Sequence, residues 1–132
     1  MHTSPFTLAL ACLASLVSSD PTSAADPASP LDFDRTVARL LAVRCLDCHS
    51  GNKPKGGLDL SARDRARRGG ESGPAVVGGR LDSSLIWKRV ADGEMPPKQP
   101  LSAAEQAILK RWILDGARWG TDPIDRFAYT TS

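Results

Sequence analysis

Two thiols and an imidazole stand together in this 132-residue chain, as Cys45-Leu46-Asp47-Cys48-His49. Two cysteines separated by two residues and followed directly by histidine form the attachment pattern of a c-type haem. The thiols add across the two vinyl groups of a porphyrin, and the two-residue spacer gives both sulfurs the reach. His49 is then placed to bind the iron from the proximal side. The chain has three cysteines, two histidines and two methionines. Loss of an N-terminal leader would remove Met1, His2 and Cys12, leaving Cys45, Cys48, His49 and Met95 as the remaining residues of those types. The sixth ligand of a low-spin haem is usually a second His or a Met, so Met95 is the candidate. His/Met ligation is the electron-transfer pattern and raises the reduction potential. The competing reading of Met95 is a core methionine filling a gap.

Other chemistries use the same residues less well. A structural zinc site needs four closed Cys or His ligands. Only three strong ligands are present here, and the adjacency of Cys48 and His49 strains a tetrahedron. A thioredoxin-like redox motif belongs in a strand-helix-strand setting, and no such pattern surrounds this one. An accidental match is disfavoured by the context that follows.

Thr7 to Val17 form an apolar run too short to span a bilayer as a helix. Small residues follow, ending at Thr22-Ser23-Ala24-Ala25. Residues 1–25 therefore read as a secretory signal peptide, cleaved after Ala24 or Ala25, although His2 is the only basic residue of its n-region. Cys12 reads as an ordinary residue of the apolar run, because apolar residues continue past it. Export agrees with haem attachment, which takes place outside the bacterial cytoplasm, so the expected location is the periplasm or another part of the cell envelope. No second segment reads as transmembrane.

The mature part, roughly 105 residues, has the size of one domain. A chain that short buries only about two thirds of its unfolded surface, a deficit that a large apolar cofactor would reduce. The formal charge is +2, rising to +3 if Asp20 leaves with the leader. That is too mild to argue for nucleic acid, and no nucleic-acid motif appears.

Four helices are expected to position the motif. After a Pro/Ala/Ser linker over residues 26–32, a first helix runs from about Phe33 to Leu46, with Asp32 as N-cap. Its apolar face is Phe33, Val37, Leu40 and Leu41. From Ser50 to Arg80 the chain is loop-rich and holds eight of its eleven glycines, which let backbone approach a flat ligand closely. A short helix over Ala62 to Arg68 interrupts it, with Ser61 and Asp64 spaced like a capping box and Gly69 as the stop. Asp82 would cap a helix over Ser83 to Ala91, with Leu85, Ile86, Trp87 and Val90 as its apolar side. Gly93-Glu94-Met95-Pro96-Pro97 reads as an extended loop, where Pro96 restricts Met95 to β or polyproline geometry. Ser102 and Glu105 form a capping box for a last helix over Ala103 to Asp115. Its Ile108, Leu109, Trp112 and Ile113 should cross the first helix, with Trp112 against Phe33 or Leu40.

These segments together resemble a known family. An apolar helix precedes CLDCH; then come KPKGGLDL, GGESGPAVV, LIWKRV, GEMPP and a terminal helix ending WILDGARW. The combination resembles the planctomycete-type cytochrome c domain, a class I-like haem domain of secreted bacterial proteins, over about Phe33 to Trp119. The resemblance implies an all-α, cytochrome c-like helical domain over residues 33–120, with long Gly-rich loops around one covalently attached haem c. It implies that Cys45 and Cys48 hold the porphyrin, that His49 is the proximal ligand and that Met95 is the distal one. Class I cytochromes commonly orient the proximal imidazole with a proline carbonyl in a Gly-Pro segment, and Gly73-Pro74 is the match here, against an ordinary turn proline. Relatives commonly continue into larger domains, and Asp122-Pro123-Ile124-Asp125-Arg126-Phe127 is similar to the linker that precedes them. Residues 121–132 are accordingly read as a C-terminal tail of linker type.

Arg63, Arg65, Arg67 and Arg68 read as a solvated helix face rather than a docking or propionate site. Trp87, Trp112 and Trp119 read as core or haem-packing residues, with an indole N–H able to reach a propionate. Lys53 and Lys55 read as exposed loop residues. The expected function is electron transfer by an exported monohaem c-type cytochrome with a redox partner protein, without enzymatic chemistry. The alternatives are a haem enzyme or gas sensor with an open sixth position, and a docking module of a larger exported assembly.

Overall fold

A computed structural model describes residues 29–130. The leader, Cys12, the cleavage site and residues 26–28 of the linker lie outside the described residues. Four α-helices follow in chain order: α1 (Val37–Arg44), α2 (Arg63–Arg68), α3 (Leu85–Ala91) and α4 (Ala103–Leu114). Single turns of 3-10 helix occur at Lys55–Gly57 and Arg126–Tyr129. The described residues contain no strand, only an isolated bridge between Gly70 and Gly73. The fold is helical, as expected, and among the described residues no helix is long and apolar enough to cross a membrane.

The core sits where α1 meets α4, and α3 also packs against α4. Phe33, Val37, Leu40 and Leu41 are all buried, as their spacing demands, and they meet Leu109, Trp112 and Ile113. The expected crossing contact is an aromatic cluster: Phe33 lies 6.0 Å from Trp112 and 4.7 Å from Trp119, ring centre to ring centre. Trp112 donates its indole N–H to the Arg118 carbonyl. Trp119 Nε1 has no hydrogen-bond partner and lies in this cluster, and neither these two nor Trp87 lines the cleft described below.

Three of the four helix starts differ from expectation. The segment after Asp32 forms tight turns before α1; Asp32 accepts from the Arg35 amide through its side chain and from the Thr36 amide through its carbonyl. Ser61 and Asp64 make no capping box at α2. Ser61 bonds to Asp59 instead, and the first helical amide, that of Arg63, donates to the Asp122 carboxylate. Gly69 does end that helix, at φ +76, and a Cβ there would overlap the Gly73 carbonyl. Asp82 gives way at α3 to Ser84, fully buried, whose hydroxyl ties Val77 and Arg80 together. The Ser102–Glu105 capping box of α4 forms in both directions.

Residues 120–129 fold back on the body. The Thr121 amide donates to Asp34, the Ile124 amide to the Ser61 carbonyl, and Arg126 pairs with Asp47 inside the motif. Ile124 is buried and the Arg126–Tyr129 turn rests on α1.

Candidate functional site

The C-terminal end of α1 turns directly into the Cys-x-x-Cys-His motif. The Cys45 carbonyl accepts from both the Cys48 amide (3.2 Å) and the His49 amide (2.9 Å), which curls the five residues into one tight turn. Leu46 is fully buried between the two cysteines, an apolar anchor that leaves Cys45, Cys48 and His49 facing one cleft. Neither cysteine is in a disulfide. Burial pushes the Cys45 thiol up to about 12, with Arg44 opposing and Glu105 and Cys48 adding to the shift. The thiol is therefore protonated through the physiological range.

That cleft has a volume of about 730 Å³, within the range of small-molecule and cofactor sites. Cys45, Cys48 and His49 line it. Met95, Pro96, Pro97, Lys98 and Gln99 line the same cleft. Leu58, Leu60, Ala75, Leu85, Ile86 and Val90 give it an apolar interior. The expected proximal and distal residues, far apart in sequence, thus line a single slot. Met95 is 38% exposed. Its amide and that of Glu94 both donate to the Arg89 carbonyl, while the Arg89 guanidinium pairs with the Glu94 carboxylate. This double contact holds the loop to the end of α3.

His49 Nδ1 lies 3.1 Å from the Lys55 carbonyl oxygen. A carbonyl can only accept, so the proton sits on Nδ1 and the Nε2 lone pair is left available to a metal. Pro74 does not fill this role: it is exposed, it does not line the cleft, and its carbonyl accepts from the Leu85 amide. The physical reason is loop closure. The Lys55 amide donates to the Cys48 carbonyl at 2.9 Å, and Gly56 and Gly57 turn with positive φ, so the 49–55 loop folds its own carbonyl under the ring. Nothing in the residue type marks Lys55 for this, because every residue carries a main-chain acceptor.

Four of the five charged side chains lining the cleft are basic: Arg44, Lys55, Arg89 and Lys98, against Asp47. Arg44 and Arg89 are paired with Glu105 and Glu94, so Lys55 and Lys98 are the cations left to favour an occupant that is largely apolar and bears anionic groups. The backbone is close-fitting here as well, since a Cβ on Gly70 would overlap the Gly56 carbonyl oxygen. The arginines of α2 do not line the cleft; Arg65 pairs with Asp59 and Arg63 with Asp64. Among the described residues, no three Cys, His, Asp or Glu side chains converge as a metal site. The donor set is instead thiol, thiol and imidazole in one cleft with a thioether, which suits a tethered iron macrocycle rather than a bare ion.

Comparison with known proteins agrees with the motif. No curated protein and no solved structure matches the chain. The family model of planctomycete cytochrome C matches residues 45–99, from the first thiol through Met95 to Gln99. Residues 45–99 thus carry a planctomycete-type cytochrome c domain.

Proposed function

We propose that this chain is an exported monohaem c-type cytochrome that passes single electrons, with haem c bound through Cys45 and Cys48 and its iron held between His49 and Met95. The observation that carries the reading is the single cleft lined both by the motif and by Met95. Haem c, when bound, supplies a one-electron iron couple. The chain's own residues would do the rest. His49, fixed as the Nδ1–H tautomer by Lys55, presents Nε2. Met95, held by Arg89, presents a soft sulfur. The apolar interior keeps water from the iron, and the basic rim would face the propionate carboxylates. Nothing in this arrangement calls for a nucleophile or an acid/base pair. Electron transfer is also the general role of the family. Residues 1–25 would be removed on export, and an unidentified redox protein would dock at the cleft mouth.

Expression in a host that matures c-type cytochromes tests the reading. The expected product carries one covalent haem by mass, and its reduced haemochrome spectrum shows two saturated vinyl positions. A product with no covalent haem would sink the proposal.

The 38% exposure of Met95 favours one second reading, a haem enzyme or sensor whose sixth position opens. Rapid carbon monoxide binding by the reduced protein would support that alternative, and resistance supports the electron carrier.

A further inference from the structure

Arg44 is the last residue of α1 and precedes Cys45, yet its side chain reaches the end of the Met95 loop. One guanidinium nitrogen donates to both carboxylate oxygens of Glu105, at 3.1 and 3.2 Å. The other donates to two main-chain carbonyls, Gln99 at 2.7 Å and Pro100 at 3.2 Å. The side chain is only 18% exposed. Gln99 and Pro100 close the loop that begins at Gly93 and carries Met95. Arg89 ties the start of that loop to α3, whereas Arg44 ties its end to α1, the helix that bears the motif.

We infer that Arg44 is a positioning residue that sets the separation of the motif and the Met95 loop, and with it the permanence of the Met95 contact at the distal face. The inference rests on the His49/Met95 reading proposed above. Its physics is that of a planar fork: guanidinium can serve a carboxylate and two carbonyls at once, while an ammonium is a point charge that cannot span them. Glu105 contributes differently. It docks α4 through the ion pair and caps the helix by accepting from the Ser102 amide, but it makes no bond to the loop.

Three variants of the haem-loaded protein separate tethering from helix docking: Arg44→Met, Arg44→Lys and Glu105→Gln. Carbon monoxide association with the reduced protein should rise about tenfold in Arg44→Met, the loss of charge-assisted hydrogen bonds to the loop, with a smaller rise in Arg44→Lys. In Glu105→Gln it should stay within about twofold of the parent even though the melting temperature falls. Equal carbon monoxide rates in Arg44→Met and Glu105→Gln would overturn the proposal. Should Arg44→Met fail to fold, the comparison of Arg44→Lys with Glu105→Gln decides by the same criterion. Hydrogen exchange at the Glu94, Met95, Lys98 and Gln99 amides is independent of iron ligation. Faster exchange in the Arg44 variants than in Glu105→Gln upholds the tether, even in a parent whose spectrum lacks a methionine-to-iron band and so refutes the ligation reading. Unchanged exchange refutes the tether whatever the spectrum.

Discussion

His49 Nδ1 stands 3.1 Å from the carbonyl oxygen of Lys55, a residue of its own loop, and not against the proline segment farther along the chain. The acceptor is main chain, so the Lys55 side chain should be dispensable. Lys55→Ala is expected to leave the reduction potential and the melting temperature of the loaded protein nearly unchanged. Gly56→Ala is expected to do more. Gly56 has φ +64 with open space around it, so the cost is backbone strain of about 1 kcal/mol and a displaced Lys55 carbonyl. Voltammetry and thermal melting of the pair check this; a larger effect from Lys55→Ala than from Gly56→Ala would contradict the assignment.

Met95→Ala should abolish the methionine-to-iron charge-transfer band and lower the reduction potential, because a thioether favours ferrous iron. Folding should be little affected, since Met95 is 38% exposed and stands outside the buried core. The optical spectrum of the oxidised variant is the measurement. An unchanged band would remove Met95 from the site.

Cys45 makes the haem-free chain sensitive to alkali. Its thiol is held protonated by burial, with a pKa raised from 9.0 to about 12. A folded pKa above the unfolded one means stability that is whole below pH 9 and declines as pH rises towards 12, because the unfolded chain ionises first. The urea midpoint of the haem-free protein should therefore fall over that window, and the fall should be shallower in Cys45→Ala. Iodoacetamide should also modify Cys45 far more slowly in buffer than in urea. Equal rates in the two conditions would contradict the burial.

The C-terminal segment should matter to stability although the family match ends at residue 99. Deleting residues 121–132 removes a buried Ile124, its hydrogen bond to Ser61 and the Asp122 cap of α2. The expected loss is about 2–4 kcal/mol, and melting should come roughly 10 °C or more lower. Arg126→Ala alone should cost under about 1 kcal/mol, because its partner Asp47 is largely solvated. Calorimetry distinguishes the two, and a truncated chain as stable as the parent would show the segment to be passive.

What was legible beforehand was local. The motif is five consecutive residues, and chemistry follows from their types and spacing. The apolar faces of α1 and α4 follow from helical periodicity, and the Ser102–Glu105 box spans three residues; each needs only its own segment to form. Met95 could be named by elimination, since so few ligating side chains remain once residues 1–25 are set aside.

What only the tertiary structure decided were partnerships between distant segments. That Met95 shares a cleft with Cys45 and His49 depends on how α3 and α4 pack. Ser61 and Asp82 look like caps in isolation, but Asp122 and the buried Ser84 hold those positions once the chain folds back on itself. Arg44 carries no mark among seventeen basic residues until the fold sets Glu105 and two carbonyls around it. Main-chain acceptors are identical at every residue, so the choice of Lys55 over Pro74 is made by where the backbone comes to lie, and by nothing in the side chains.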